Sequence, residues 1–246
     1  MSEQRASRAV PNLGPDAYAH WRRSELGAIT ERLERELILE LTGPVDDCDV
    51  LDLGCGDGDL AGELHARGAR VVGLDASLAM IRRAKARLDG QRQCSLLVGA
   101  ADHLPFPPTC FDVVVAVTLL CFVKDGACVF KEIARILRPG GRMIIGELGR
   151  WSSWSAERRI RGWLGSPLWR RGYFRSPRTL RRLAAQAGLT PGAVRGAIYY
   201  PRWTPVARLM APWDAVLARV TNVGAAFLAL SATKPLDRAS GAIWRL

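Results

Sequence analysis

One short stretch limits what this chain can fold into. Residues 50–60 read V-L-D-L-G-C-G-D-G-D-L: an apolar run holding Asp52, glycines at 54, 56 and 58, then a helix-like 60–66. Strand, tight glycine turn and helix make the sequence form of a nucleotide-binding β-α unit. Glycine lets the backbone take positive φ and lets a ligand approach where a Cβ would collide. The N–H groups at the helix start favour an anionic or electron-rich ligand edge. A dinucleotide fingerprint, G-x-G-x-x-G, would put a third glycine at position 59, where this chain has Asp59. That spacing speaks against a nicotinamide dehydrogenase.

The pattern D-x-G-x-G-x-G that begins at Asp52 resembles motif I of the class I S-adenosyl-L-methionine-dependent methyltransferases. An ordinary β-α turn of another α/β protein is the plain alternative, and the residues downstream weigh against it. Residues 70–75 read as a second buried strand ending in Asp75, 19 residues after Gly56. An acid ~20 residues on is the spacing of a carboxylate that grips ribose hydroxyls, because it can accept from both the 2′- and 3′-OH. A helix N-cap or loop acid is the other reading of Asp75. The run D-A-S-L-A-M-I-R-R-A, residues 75–84, is similar to the family's D-x-S-x-x-M-x-x-x-A. Residues 94–99 predict a third strand, and G-A-A-D-H-L-P-F, 99–106, resembles the family's G-x-A-x-x-L-P-F. Residues 111–117, nearly all aliphatic, predict a fourth strand buried on both faces of a parallel sheet. L-R-P-G-G at 137–141 matches the family's turn into a fifth strand at 143–146.

The resemblance implies a fold, a cofactor and a set of residues. The fold is a Rossmann-like, doubly wound seven-stranded α/β sheet, mostly parallel with the last strand antiparallel. It adds an N-terminal helix and a helical insertion after strand five. The cofactor is S-adenosyl-L-methionine. The residues placed to bind it are Tyr18, Asp52, Gly54, Cys55, Gly56, Asp75, Ala76, Met80, Ala101, Asp102, Val117 and Thr118. Asp102 is set to accept from the adenine amine or, alternatively, to start a turn. Val117 and Thr118 pass behind the methionine portion. Tyr18, in a Tyr-x-x-Trp helix like the lid of type-11 enzymes, approaches that portion too; docking of the helix is the alternative for Tyr18 and Trp21. The sequence names no convincing catalytic residue. Glu147, at the end of strand five, is the candidate base, with a structural or loop role as its rival.

A chain of 246 residues, 48% hydrophobic, can bury one core as a single domain. Its parts are a helical lid at 1–44, a cofactor-binding core at 45–147, an insertion at 148–175 and the rest of the sheet at 176–246. Residues 1–14 are polar and read as loose. The lid helix is predicted over 24–41, a further helix starts at Ser176-Pro177, strand six spans 193–200, a partly helical insertion spans 203–220 and a last strand spans 225–232. No stretch of ~18 apolar residues and no apolar signal core is present, so the expected location is cytoplasmic. The six cysteines show neither a C-x-x-C pair nor zinc spacing, which fits free thiols and no metal.

The insertion at 148–175 differs in character. Seven arginines stand against one acid, Glu157, and tryptophans stand at 151, 154, 163 and 169. The net charge of +11 sharpens the question. Arginine beside tryptophan can stack on bases, or cap an apolar acceptor while holding a carboxylate or a membrane phosphate. Trp151, Trp154 and Trp163 also fit one face of an amphipathic helix. No RNA-binding module accompanies the patch. The expected function is methyl transfer to a small, apolar or aromatic molecule by in-line displacement, with peripheral membrane contact compatible. An RNA-modifying methyltransferase and a non-catalytic cofactor-binding module are the rival functions.

Overall fold

The computed structural model describes residues 15–236. Alternating strands and helices build a seven-stranded sheet of order β3-β2-β1-β4-β5-β7-β6. The strands are β1 Asp49–Leu53, β2 Arg70–Asp75, β3 Cys94–Val98, β4 Phe111–Val117, β5 Leu137–Leu148, β6 Thr190–Ala197 and β7 Phe227–Thr233. Strands β1 to β5 pair in parallel, and β7 runs antiparallel between β5 and β6. The expected fold class is the observed one. The order reverses between β1 and β4, and an open sheet binds its ligand outside the carboxyl ends of the strands at such a point.

The helices are α1 Pro15–Arg23, α2 Glu25–Thr42, α3 Asp59–Ala66, α4 Leu78–Arg87, α5 Gly126–Ile136, α6 Ser153–Trp163, α7 Pro177–Gln186, α8 Thr204–Met210 and α9 Asp214–Val220. Their starts follow local capping chemistry. The side chains of Ser24, Ser77, Asp125, Ser152 and Ser176 each accept from a backbone N–H of the first turn of α2, α4, α5, α6 and α7. Leu33, Leu37 and Ile38 of α2 and Leu64 of α3 cover one face of the sheet. Phe130 and Ile133 of α5 and Leu180 of α7 cover the other. Among the described residues no helix is long and apolar enough to cross a membrane.

Three expectations shift. Strand five starts at Leu137, not 143, because the glycine pair is stitched to the exit of β7: Gly140 N–H donates to Lys234 O and Lys234 N–H to Gly141 O, each at 2.9 Å. Strand six ends at Ala197 instead of 200. Ile198 has φ 65, and the buried Asp214 carboxylate takes the N–H groups of Ile198 and Tyr199 at 3.0–3.1 Å. Trp151, Trp154 and Trp163 do not share a buried face: Trp154 is 2% exposed, Trp151 62% and Trp163 84%.

Helix α2 runs back across β5. Its end at Gly43 lies by Arg142 and Ile38 lies by Gly146, so its first turns reach the carboxyl edge of the sheet. The helices α6 and α8–α9 follow β5 and β6, which are parallel to each other, and so rise from that same edge.

Candidate functional site

The glycine turn after β1 is held by the tip of β2. Gly54 and Cys55 N–H groups donate to Leu74 O at 2.6 and 3.1 Å. Gly56 N–H donates to Asp75 Oδ2 at 3.0 Å, and Ser77 N–H to Asp75 Oδ1 at 2.7 Å. Asp75 therefore spans the turn and the start of α4, with one lone pair left on each oxygen for further donors. The glycines divide the labour. Gly56, φ 55, has no atom within 4 Å of where a Cβ would stand, which leaves room above the turn. Gly58, φ 79, would drive a Cβ to 2.9 Å from the Ala84 Cβ, so it serves packing of the turn on α4.

The neighbouring residues surround that room unequally. Ala76 is exposed and Met80 buried on α4; Ala101 is half-buried and Asp102 exposed in the turn after β3. The Leu119 side chain lies over Gly54, and Thr118, φ 50, donates its N–H to Gly146 O at 2.7 Å. Val117 is half-buried against the core on the α2 side. Cys55 is buried, its thiol pushed up by desolvation and then by Asp52 and Asp75. Tyr18 belongs to α1, but its side chain lies outside the described residues.

An ionic clamp ties α1 and α2 to the turn. Arg22 of α1 donates to both oxygens of Asp57 at 3.1 Å and to Asp59 at 2.7 Å. Arg87 of α4 reaches the same acids at 2.7 and 2.8 Å, and Arg35 of α2 joins Asp59 and Glu63. The acids of the glycine turn thus fasten α1, α2 and α4 to it.

Asp52 is 2% exposed, and its Oδ2 has no partner. Burial, then the charge of Asp75, pushes its carboxyl up to about 7 against the Ala61 N–H that favours the anion. Glu147 is fully buried beneath the 3-10 turn Leu120–Phe122; Oε1 accepts the Leu120 N–H, and Oε2 has no partner. Burial pushes it up to about 7, opposed by that N–H and by Arg175.

Two charged side chains at this edge stand out: Glu34, which the sequence did not single out, and Arg158, one of the seven arginines of the insertion. Glu34 of α2 makes no hydrogen bond or ion pair among the described residues, and desolvation pushes its carboxyl up to about 8, opposed by Arg158. Arg158 of α6 lies between two indoles, its Cζ 5.3 Å from the Trp154 ring and 4.9 Å from Trp169. Its Nε and Nη1 are buried without a partner, and desolvation pushes it down to about 10. A carboxyl raised as far as that of Glu34 is largely protonated at neutral pH.

Asp52, Glu147 and Glu34 share one consequence. A carboxyl raised above its ordinary value favours the folded state below pH ~4, and that contribution disappears as pH rises through the folded pKa. The protein is expected to be more stable at pH ~5.5 than at ~8.5, by ~1 kcal/mol or more. Urea midpoints at the two values check this, and Asp52→Asn should shrink the difference. A midpoint that climbs with pH across that window contradicts it.

The chain's similarities fall on these elements. The type-11 methyltransferase domain family matches residues 51–145, from β1 to β5. A ubiquinone biosynthesis O-methyltransferase of Thiobacillus denitrificans is 33% identical over 187 residues, 72% of this chain and 78% of that one. Another protein of that name, from Idiomarina loihiensis, is 32% identical over 162 residues, 62% of this chain and 65% of its own length. A methyltransferase structure from Thermotoga maritima superposes with a TM-score of 0.67 at 22% identity, covering 89% of this chain and 95% of that one. The chain belongs to the type-11 family of S-adenosyl-L-methionine-dependent methyltransferases. Its cofactor is S-adenosyl-L-methionine. The open space over Gly56 beside the Asp75 carboxylate suits the adenosyl part of that cofactor.

Proposed function

We propose that this enzyme methylates a small apolar or aromatic molecule held beneath the cap of α6, α8 and α9. The observation that carries this reading is the cluster of aromatic and cationic side chains at the foot of that cap. Trp154 stacks edge-on to Tyr200 with centroids 6.4 Å apart, Trp169 lies against Phe174 at 6.2 Å, and Arg158 lies between the two indoles. The names of the two quinone-pathway relatives agree with an aromatic acceptor.

In this reading Gly54, Cys55 and Gly56 carry the cofactor's chain past the turn, and Asp75 accepts its ribose hydroxyls. Ala76 and Met80 flank the sugar. Ala101 and Asp102 face the adenine, Val117 and Thr118 back the methionine portion, and Tyr18 is assigned to the same portion by the family resemblance alone. Asp52 supports the turn from below. When bound, S-adenosyl-L-methionine supplies a methyl group already activated on a sulfonium. The chain's part is then to align the acceptor with that bond, which can contribute ~7–11 kcal/mol. An acceptor that loses a proton needs a base. Glu147 is the candidate: its Oε1 takes the Leu120 N–H, and its Oε2 has no partner.

Exposed Trp163, Leu164, Trp203 and Trp213 sit on the same cap and would suit contact with a membrane surface that stores an apolar acceptor. The test is a metabolite extract incubated with the enzyme and methyl-labelled cofactor, then fractionated. Label is expected in the organic-soluble small-molecule fraction. Label confined to RNA or protein, or no transfer at all, would overturn the reading.

A further inference from the structure

Cations on the cap outnumber the acids that could neutralise them. Glu157 is engaged by Arg161 at 2.6 Å and by Arg202 at 3.3 Å. Among the described residues, Arg150, Arg159 and Arg175 have no carboxylate within ion-pair distance. These three line one cavity of about 340 Å³ together with Tyr173, Phe174 and Thr179. Backbone carbonyls aim the guanidinium groups without cancelling their charge. Arg159 donates to Ser155 O at 3.2 Å and Arg150 O at 2.7 Å. Arg175 donates through Nη2 to Leu120 O at 3.2 Å and Val123 O at 3.0 Å, and its buried Nε has no partner. The Arg150 guanidinium lies over the Trp151 ring at 5.1 Å, which leaves its edge N–H groups uncommitted.

The cavity is joined to the methyl-transfer edge through one residue. Leu120 gives its N–H to Glu147 and its carbonyl to Arg175. The cap itself is bridged to the same turn, with Tyr173 N–H donating to Cys121 O at 2.9 Å.

We propose that the Arg150, Arg159 and Arg175 cavity binds an anionic group, phosphate or carboxylate, carried by an aryl or similarly flat acceptor. Three guanidinium groups share the cavity with no carboxylate in ion-pair contact, and an oxyanion there would accept several charge-assisted hydrogen bonds. Tyr173 and Phe174 supply the wall for the flat part of the molecule. This rests on the reading of the carboxyl edge as the transfer site and adds the chemical class of acceptor: an aromatic acid or ester rather than a neutral hydrocarbon.

The test uses the whole chain saturated with S-adenosylhomocysteine, titrated calorimetrically with phenyl phosphate, benzoate and phenol. At least one anion is expected to bind about tenfold or more tightly than phenol, and the better of the two names the anion. The double variant Arg150→Gln with Arg159→Gln is expected to lose about tenfold or more of that affinity while keeping its affinity for S-adenosylhomocysteine. It spares Arg175, which holds the Leu120–Phe122 turn. Phenol binding as tightly as the anions, anion affinity untouched in the double variant, or no binding of any probe would each overturn the proposal. The same titration without S-adenosylhomocysteine is read in the same way, so a failure of that ligand to bind would count against the cofactor site alone.

Discussion

Replacing Asp75 by Ala is expected to weaken S-adenosylhomocysteine binding by ~1–3 kcal/mol, roughly tenfold to more than a hundredfold in Kd. The carboxylate accepts Gly56 N–H and Ser77 N–H, one on each oxygen. Two vicinal hydroxyls can be received on the remaining lone pairs. Alanine removes those acceptors and frees the turn that Asp75 ties to α4. Calorimetry and the urea midpoint must be read together. A lower midpoint with unchanged affinity would make Asp75 a turn-former only and remove it from the binding site. A fall in affinity with the midpoint nearly kept is the expected pattern, since Leu74 O still holds the N–H groups of Gly54 and Cys55.

Trp154→Ala is expected to cost ~3–5 kcal/mol of stability, the range for deleting a buried large aromatic. Trp154 is 2% exposed and donates Nε1–H to Tyr200 O at 2.7 Å. It also carries Arg158 and Arg202 on its ring, at 5.3 and 5.1 Å. Truncation opens a cavity in the core cluster that holds Leu33 and Tyr200, leaves a buried carbonyl without its donor, and strips both guanidinium groups of their platform. The cap should loosen and the glycine turn should not. S-adenosylhomocysteine affinity in the folded variant is therefore expected to stay within about threefold of the parent. Trp163, 84% exposed at the end of α6, gives the contrast: its Ala variant should stay within ~0.5 kcal/mol of the parent. Equal losses from the two substitutions would contradict this account of the cap.

The cofactor half of the fold was readable because its signals are local. Glycine spacing, aliphatic runs and capping residues act over a few neighbours, and β2 and β4 fall on the predicted residues, Arg70–Asp75 and Phe111–Val117. Strand direction came from resemblance alone, and β7 does run antiparallel beside β5. The segments after β5 were harder because their determinants are distant in sequence. The end of β6 depends on Asp214, 16 residues beyond Ile198. Trp154 is buried because Tyr200 and Thr30 meet there: its Nε1 reaches a carbonyl 46 residues on, and the Tyr200 hydroxyl lies 3.2 Å from Thr30 Oγ1. Arg158 lies between the rings of Trp154 and Trp169, neighbours that the sequence does not pair with it. Glu147 was legible as an acid at a strand end. Its hydrogen bond to Leu120 depends on how the chain turns after β4.

The measurement that bears most directly on the central claim is a crystal structure with S-adenosylhomocysteine bound. The ribose hydroxyls are expected at hydrogen-bond distance, about 2.5–3.0 Å, from the Asp75 oxygens, with the ligand crossing the open space above Gly56. A ligand bound elsewhere, or a ribose out of reach of Asp75, would contradict the account.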